Sequence, residues 1–272
     1  MPTVELPPGV LAFAQRGPEW ATFVDRLPRL ARDLIEEWEL EVDGEAGHGY
    51  CSLVVPVRRA GEPAVLKLTF TDVESEHEAL ALQRLAGDGA VRLLSADPRR
   101  GALLLERLHR TDLDSVPVLD ACEVVAELYD RIHVPALPQL LPVTTYLDRW
   151  THQLRALPRD APIPRRLVEQ TLALVGDLFS DGEPGVMLHG DLHYQNVLAA
   201  DREPWLVIDP KPMRGDRHYE PAPMLWNRWD EAVGTGNLRV ALRRRFHTIV
   251  DAAGLDERLA RCLLYTSPSP RD

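Results

Sequence analysis

Residues 188–198 read LHGDLHYQNVL, which places His189, Asp191, His193 and Asn196 within eight positions before the chain closes on Val197 and Leu198. Polar side chains this dense, walled by apolar ones, have to be satisfied by a metal, a proton transfer or the hydrogen bonds of a turn. Asp209 follows thirteen residues after Asn196, at the end of the apolar stretch WLVID (205–209). The spacing H-x-D-x4-N, followed by a strand ending in Asp, supplies the parts of a phosphoryl-transfer site. Asp191 is the candidate base for the proton of an attacking hydroxyl. Asn196 and Asp209 are the candidate ligands of Mg²⁺, a hard ion that takes oxygen donors.

Such a site also needs a lysine on a sheet strand for the nucleotide phosphates, and a glutamate on a nearby helix to hold it. Of 31 basic residues only Lys67 and Lys211 are lysine. An ammonium is a compact point charge and a guanidinium a planar fork, so a chain that otherwise uses arginine has a reason to keep lysine at two places. Lys67 lies in AVLKLTF, where alternation puts Val65, Lys67 and Thr69 on one face and Leu66, Leu68 and Phe70 on the other. Glu78, eleven residues on in HEALALQRL, is the expected partner because it adjoins the apolar stripe of Leu82 and Leu85. Glu74 and Glu76 are the alternatives. Gly47 and Gly49, in GEAGHG, are the expected loop over the phosphates, although glycines mark any tight turn. The strand LLLERL is the expected hinge, its backbone around Glu106 and Leu108 holding adenine.

The periodicity of the chain agrees with two lobes. A helix is expected over 19–40, interrupted at Pro28, and strands over 50–58 and 63–70 around a turn at Gly61. A helix is expected over 73–86 and strands over 90–95 and 102–108. Helices follow over 117–133, 142–157, 164–180 and 221–252. The fold class is therefore α+β, with a small antiparallel β lobe carrying one inserted helix (1–108) and a larger, mainly helical catalytic lobe (109–261). The tail 262–272, CLLYTSPSPRD, has no periodicity and resembles a translated sequencing adapter, so it is set aside as non-native, with the expectation that the natural end of the second lobe is missing.

With 272 residues and 45% apolar content the chain can bury a large core, and no apolar run reaches membrane-spanning length. MPTVELPPGVLAF lacks the basic and apolar regions of a signal peptide. Cys51, Cys122 and Cys262 form neither a disulfide framework nor a zinc site. A reduced, cytoplasmic protein is expected. The net charge of −11 argues against nucleic acid and suits a cationic small molecule.

HGDLHYQN together with VIDP resembles the catalytic core of the aminoglycoside phosphotransferase superfamily, which has the protein-kinase-like fold. VIDPKP followed by GDRHYEPAPMLWNR is similar to the aminoglycoside/hydroxyurea resistance kinases, a group that includes streptomycin 6-phosphotransferases. The resemblance covers roughly residues 15–261. It implies ATP and Mg²⁺ as cofactors and an aminoglycoside hydroxyl, foremost of streptomycin, as acceptor. It gives Asp191 the role of base, Asn196 and Asp209 that of metal ligands, Lys67 that of phosphate lysine and Glu78 that of its partner. Pro210 stands where protein kinases have Phe. His193 is expected to steady the loop or approach the γ-phosphate, and Lys211 to reach a phosphate or shape the acceptor pocket. Guanidinium groups on the acceptor want carboxylates, for which Asp216, Glu220 and Glu231 are the candidates, with Asp148, Tyr146 and Trp150 in the helical lobe. Other acceptors such as hydroxyurea, choline or homoserine are the alternatives. A metal-dependent hydrolase using His189, Asp191 and His193 is the alternative from another class, and it leaves Lys67 and the Asn196/Asp209 spacing unexplained.

Overall fold

The computed structural model describes residues 4–158, 160–161, 165–166, 168–169, 172–173 and 185–264. The chain divides into two compact units, Met1–Leu108 and His109–Asp272.

A hairpin organises the first unit. β3 (Ser52–Arg59) and β4 (Glu62–Thr69) pair antiparallel from Ser52–Thr69 to Arg59–Glu62. Ala60 (φ 50°) and Gly61 (φ 83°) make the turn, and two successive positive φ values give the twist that fits flanking strands. β1 (Leu40–Val42), β2 (Gly47–His48), β5 (Leu93–Asp97) and β6 (Ala102–Glu106) complete a sheet of order β1-β3-β4-β6-β5, with β2 on β3. Alternation sends Leu66 and Leu68 to one face, with Leu53, Val55, Val57 and Leu104. Against that face pack α1 (Pro8–Leu11), an element without a periodic signal in the sequence, and α2 (Pro18–Glu37).

Two expectations change in this unit. α2 runs unbroken through Pro28. A proline inside a helix costs about 3 kcal/mol, and the fully buried Leu27, Ala31 and Leu34 beside it offset that cost. The helix expected over 73–86 is reduced to α3 (Glu78–Leu85). The Asp72 carboxylate accepts the N–H groups of Glu74 and Ser75 and the Ser75 hydroxyl, a local turn that competes with the helix.

In the second unit α4 (Val118–Ile132), which buries Ala121, Val125 and Tyr129, packs on α8 (Leu238–Ala252), which buries Phe246, Ile249 and Val250. A small sheet of β7 (Leu141–Pro142), β11 (Met213–Gly215) and β8 (Val186–Leu188), in the order β7-β11-β8, carries the catalytic-looking loop at the end of β8. The hairpin of β9 (Val197–Ala199) and β10 (Trp205–Val207) follows that loop. α5 (Val143–Ala156) packs on β11. The helix expected over 164–180 falls largely outside the described residues. The single helix expected over 221–252 is three: α6 (Ala222–Trp226), α7 (Trp229–Gly234) and α8. Arg228 (φ 52°) breaks the first junction. At the second, Gly236 (φ 75°) precedes Asn237, whose side chain caps α8 on the Val240 N–H.

α9 (Glu257–Leu264) runs three residues into the stretch set aside as a tail. Leu263 is buried with Val143, Leu147, Leu188, Met213 and Tyr219; residues 265–272 lie outside the described residues. Leu263→Ala should therefore cost about 2–4 kcal/mol in urea unfolding, whereas an unchanged midpoint would make that segment dispensable to the fold.

Candidate active site

The loop after β8 is built on backbone hydrogen bonds. Glu220 is buried beneath it, its Oε2 accepting the His189 N–H (2.7 Å) and its Oε1 the Gly190 N–H (2.8 Å). His133 Nε2 approaches Oε2 from α4's end at 3.2 Å. Burial pushes the Glu220 carboxyl up; the His133 hydrogen bond, the neighbouring His133 and His189, and the His189 N–H pull it below its usual range. His189 Nε2–H donates to the Ile208 carbonyl (2.9 Å) and its Nδ1 accepts the Asp191 N–H (3.3 Å), which fixes the tautomer. Burial lowers the His189 pKa and keeps the ring neutral. Gly190 has φ 80°, and a Cβ there would lie 2.3 Å from the Lys211 carbonyl oxygen, so only glycine fits before Asp191.

The Asp191 side chain is 43% exposed, the access that a candidate general base needs. His193 Nδ1 accepts the Gln195 N–H, so its proton sits on Nε2, 3.9 Å from Asp191 Oδ1. Burial, with His189 alongside, pushes the His193 pKa down to about 4. Asn196 Nδ2 donates to the Asp191 carbonyl (2.8 Å), leaving Oδ1 as the atom for a cation. The Ile208 N–H donates to the Asn196 carbonyl at 2.9 Å and so brings Asp209 beside Asn196. Asp209 holds φ 55°, a left-handed conformation that costs a non-glycine residue energy. Its Oδ1 meets Lys211 Nζ at 3.1 Å. An amide oxygen and a carboxylate, the latter with an ammonium already drawn to it, are the oxygen donors that a hard divalent cation takes.

Most of the expected acceptor residues serve the protein itself. Glu220 holds the loop and presents no open carboxylate. Asp216 Oδ1 binds the N–H and Nδ1 of His218, a hydrogen bond that holds the Asp216 carboxyl below its ordinary range. His218 Nε2 in turn accepts the Asp256 N–H at 2.9 Å. Glu231 pairs with Arg228. Asp148 is exposed, and the side chains of Tyr146 and Trp150 are outside the described residues. The hydrolase alternative is overturned as well: both ring nitrogens of His189 are engaged by backbone, and the described residues hold no cluster of three His, Cys, Asp or Glu placed for a metal. Sequence reasoning missed His133 and the anchoring role of Glu220.

In the first unit Lys67 Nζ meets Glu78 Oε1 at 2.6 Å, both side chains buried. Glu78 is the first residue of α3, reached by Lys67 from the face of β4 opposite Leu66 and Leu68. Gly47 has an unremarkable φ and no atom within 4 Å of a built Cβ, so the fold itself does not demand glycine there. A Cβ on Gly49 would lie 2.8 Å from Ser52 Oγ, across the hairpin tip. At the expected hinge the Glu106 N–H donates to the Arg92 carbonyl (3.0 Å) and so is not available to a base. Leu108 is the last residue of this unit.

Residues 37–270 match the family described as aminoglycoside/hydroxyurea antibiotic resistance kinase. The chain is 41% identical over 252 residues to a streptomycin 6-kinase of Streptomyces glaucescens, covering 90% of this chain and 80% of that protein. It is 38% identical over 270 residues to a hydroxyurea phosphotransferase of Kitasatospora aureofaciens, covering 95% and 76%. Among solved structures it resembles aminoglycoside phosphotransferase APH(4)-Ia, with TM-score 0.51, 19% identity and 92% and 100% of the two chains covered. It also resembles choline kinase LicA from Streptococcus pneumoniae, with TM-score 0.53, 14% identity and 89% and 82% covered. These likenesses show the protein-kinase-like α+β fold.

The depressed His193 pKa has a consequence for stability. The folded value, about 4, lies below the unfolded 6.5, so the unfolded chain takes the proton first. The stability that this ring allows is complete above pH 6.5 and falls as the pH drops toward 4. His193→Asn keeps an acceptor for the Gln195 N–H and removes the titration. Its urea-unfolding free energy should fall less across that window, by up to roughly 3 kcal/mol at ~1.4 kcal/mol per pKa unit. An unchanged slope would contradict the assignment.

Proposed function

The chain belongs to the aminoglycoside/hydroxyurea antibiotic resistance kinase family and is an ATP-dependent phosphotransferase acting on a hydroxyl acceptor, and we propose that the acceptor is streptomycin. The similarity to streptomycin 6-kinases over most of the chain carries this reading. The acidic net charge of −11 supports it, because it draws in a cationic acceptor. Asp191 accepts the acceptor's hydroxyl proton as the hydroxyl oxygen bonds to the γ-phosphorus. The bond from that phosphorus to the β–γ bridging oxygen breaks, and ADP leaves. His193, whose Nδ1 accepts the Gln195 N–H, steadies the loop beside Asp191. Asn196 Oδ1 and Asp209 would hold Mg²⁺, which would neutralise phosphate charge there. Lys67, aligned by Glu78, binds the α- and β-phosphates, and the loop at Gly47 and Gly49 covers them. We place the activity in the cytoplasm, where ATP is supplied; among the described residues no helix is long and apolar enough to cross a membrane.

Hydroxyurea is the second acceptor to consider, because the similarity to a hydroxyurea phosphotransferase reaches the same 38% identity as that to the Streptomyces griseus streptomycin 6-kinase. A coupled assay of ADP release with Mg²⁺ and each acceptor separates the two. Streptomycin-dependent release is expected. Asp191→Ala should reduce kcat by about 10³-fold or more while nucleotide affinity stays within about twofold, and Asp209→Ala should lose both the turnover and the Mg²⁺ dependence. Near-normal turnover in Asp191→Ala would remove it from the role of base.

A further inference from the structure

The match to the family begins at residue 37, yet the helical arm before it touches the tip of the glycine loop at several points. A Cβ on Gly9 would lie 2.1 Å from His48 Nε2, so the backbone of α1 lies directly on the His48 ring. Phe13 meets the same ring edge-on, with centroids 6.1 Å apart. Arg16 does most. Its Nη1–H donates to the Tyr50 carbonyl at 2.7 Å. Its guanidinium lies 4.6 Å, 4.8 Å and 4.4 Å from the ring centroids of Phe13, Trp20 and Tyr50. Trp20 stacks on Phe70 at 4.0 Å, and the Phe70 N–H donates to the Cys51 carbonyl at 2.9 Å. The tip itself is a tight turn, with the Gly49 N–H on the Ser52 carbonyl at 3.0 Å. Tyr50, 81% exposed, is a large aromatic residue held in water with its ring against a cation.

We infer that Arg16 is a positioning residue for the nucleotide: through the Tyr50 carbonyl and ring it clamps the turn 49–52 to the N-terminal arm, so that ATP meets an ordered loop. The inference rests on reading the loop at Gly47 and Gly49 as the phosphate loop. A loop already ordered spares the cost of ordering it on binding. The clamp needs arginine, because a planar guanidinium can stack on rings and donate a hydrogen bond in its own plane at once, whereas an ammonium cannot.

The test uses the full chain carrying Arg16→Ala or Arg16→Lys. Arg16 is exposed, so both variants should fold. Amide hydrogen exchange across residues 49–52 is measured without nucleotide, and Kd for Mg·AMP-PNP by titration. In Arg16→Ala exchange should quicken by about tenfold. Kd should rise about five- to tenfold while kcat at saturating ATP changes by less than about twofold, and Arg16→Lys should fall between Arg16→Ala and the parent chain. Unchanged exchange overturns the clamp, and so does faster exchange with unchanged Kd. Gly47→Val, whose Cβ finds no protein atom within 4 Å, locates the fault. If it too binds nucleotide normally, the phosphate-loop reading has failed. If it binds poorly while Arg16→Ala binds normally, only the clamp has.

Discussion

A single buried carboxylate holds the candidate catalytic loop in place. Glu220 takes the N–H groups of His189 and Gly190 on its two oxygens, with His133 on one of them. Three donors outweigh the cost of burying the charge, which is why its carboxyl stays ionised at low exposure. The loop N–H groups would otherwise be orphaned at the end of a short strand. With that end fixed, the neutral ring of His189 ties the loop to the Ile208 carbonyl, and the Ile208 N–H ties the residue before Asp209 to the Asn196 carbonyl. The order of these bonds follows the chain from the end of β8 to the residue before Asp209, so one anchor sets three candidate catalytic groups.

The two lysines share a pattern. Each lies within 3.1 Å of a carboxylate, Lys67 with Glu78 and Lys211 with Asp209. An ammonium without delocalised charge gives a carboxylate one strong, compact neighbour and leaves room for a phosphate beside it. Lys211 balances the charge of Asp209, whose backbone holds the left-handed conformation that aspartate tolerates better than most residues.

The sequence disclosed the groups whose chemistry demands close spacing. Asp191, Asn196 and Asp209 stood out as candidates because the H-x-D-x4-N spacing and the strand ending in Asp can be read from the sequence alone. Lys67 and Glu78 were legible because a mid-strand charge beside a helical glutamate is hard to place otherwise. Glu220 was misread because a carboxylate's burial depends on partners 30 and 87 residues away, Gly190 and His133, which no local pattern reveals. Asp216, two residues before His218, carried a readable sign of a capping turn. The N-terminal arm escaped because α1 is one short turn opened by prolines, without periodicity. The break at Arg228 escaped because a left-handed arginine has no signature of its own.

The most direct measurement is the identity of the product. Streptomycin incubated with the chain, ATP and Mg²⁺ is analysed by mass spectrometry and phosphorus NMR, with hydroxyurea run in parallel. The account predicts streptomycin carrying one added phosphoryl group, seen as a single phosphomonoester resonance and formed in step with ADP. ADP released without phosphorylated streptomycin, or a phosphate ester formed on hydroxyurea alone, would contradict it.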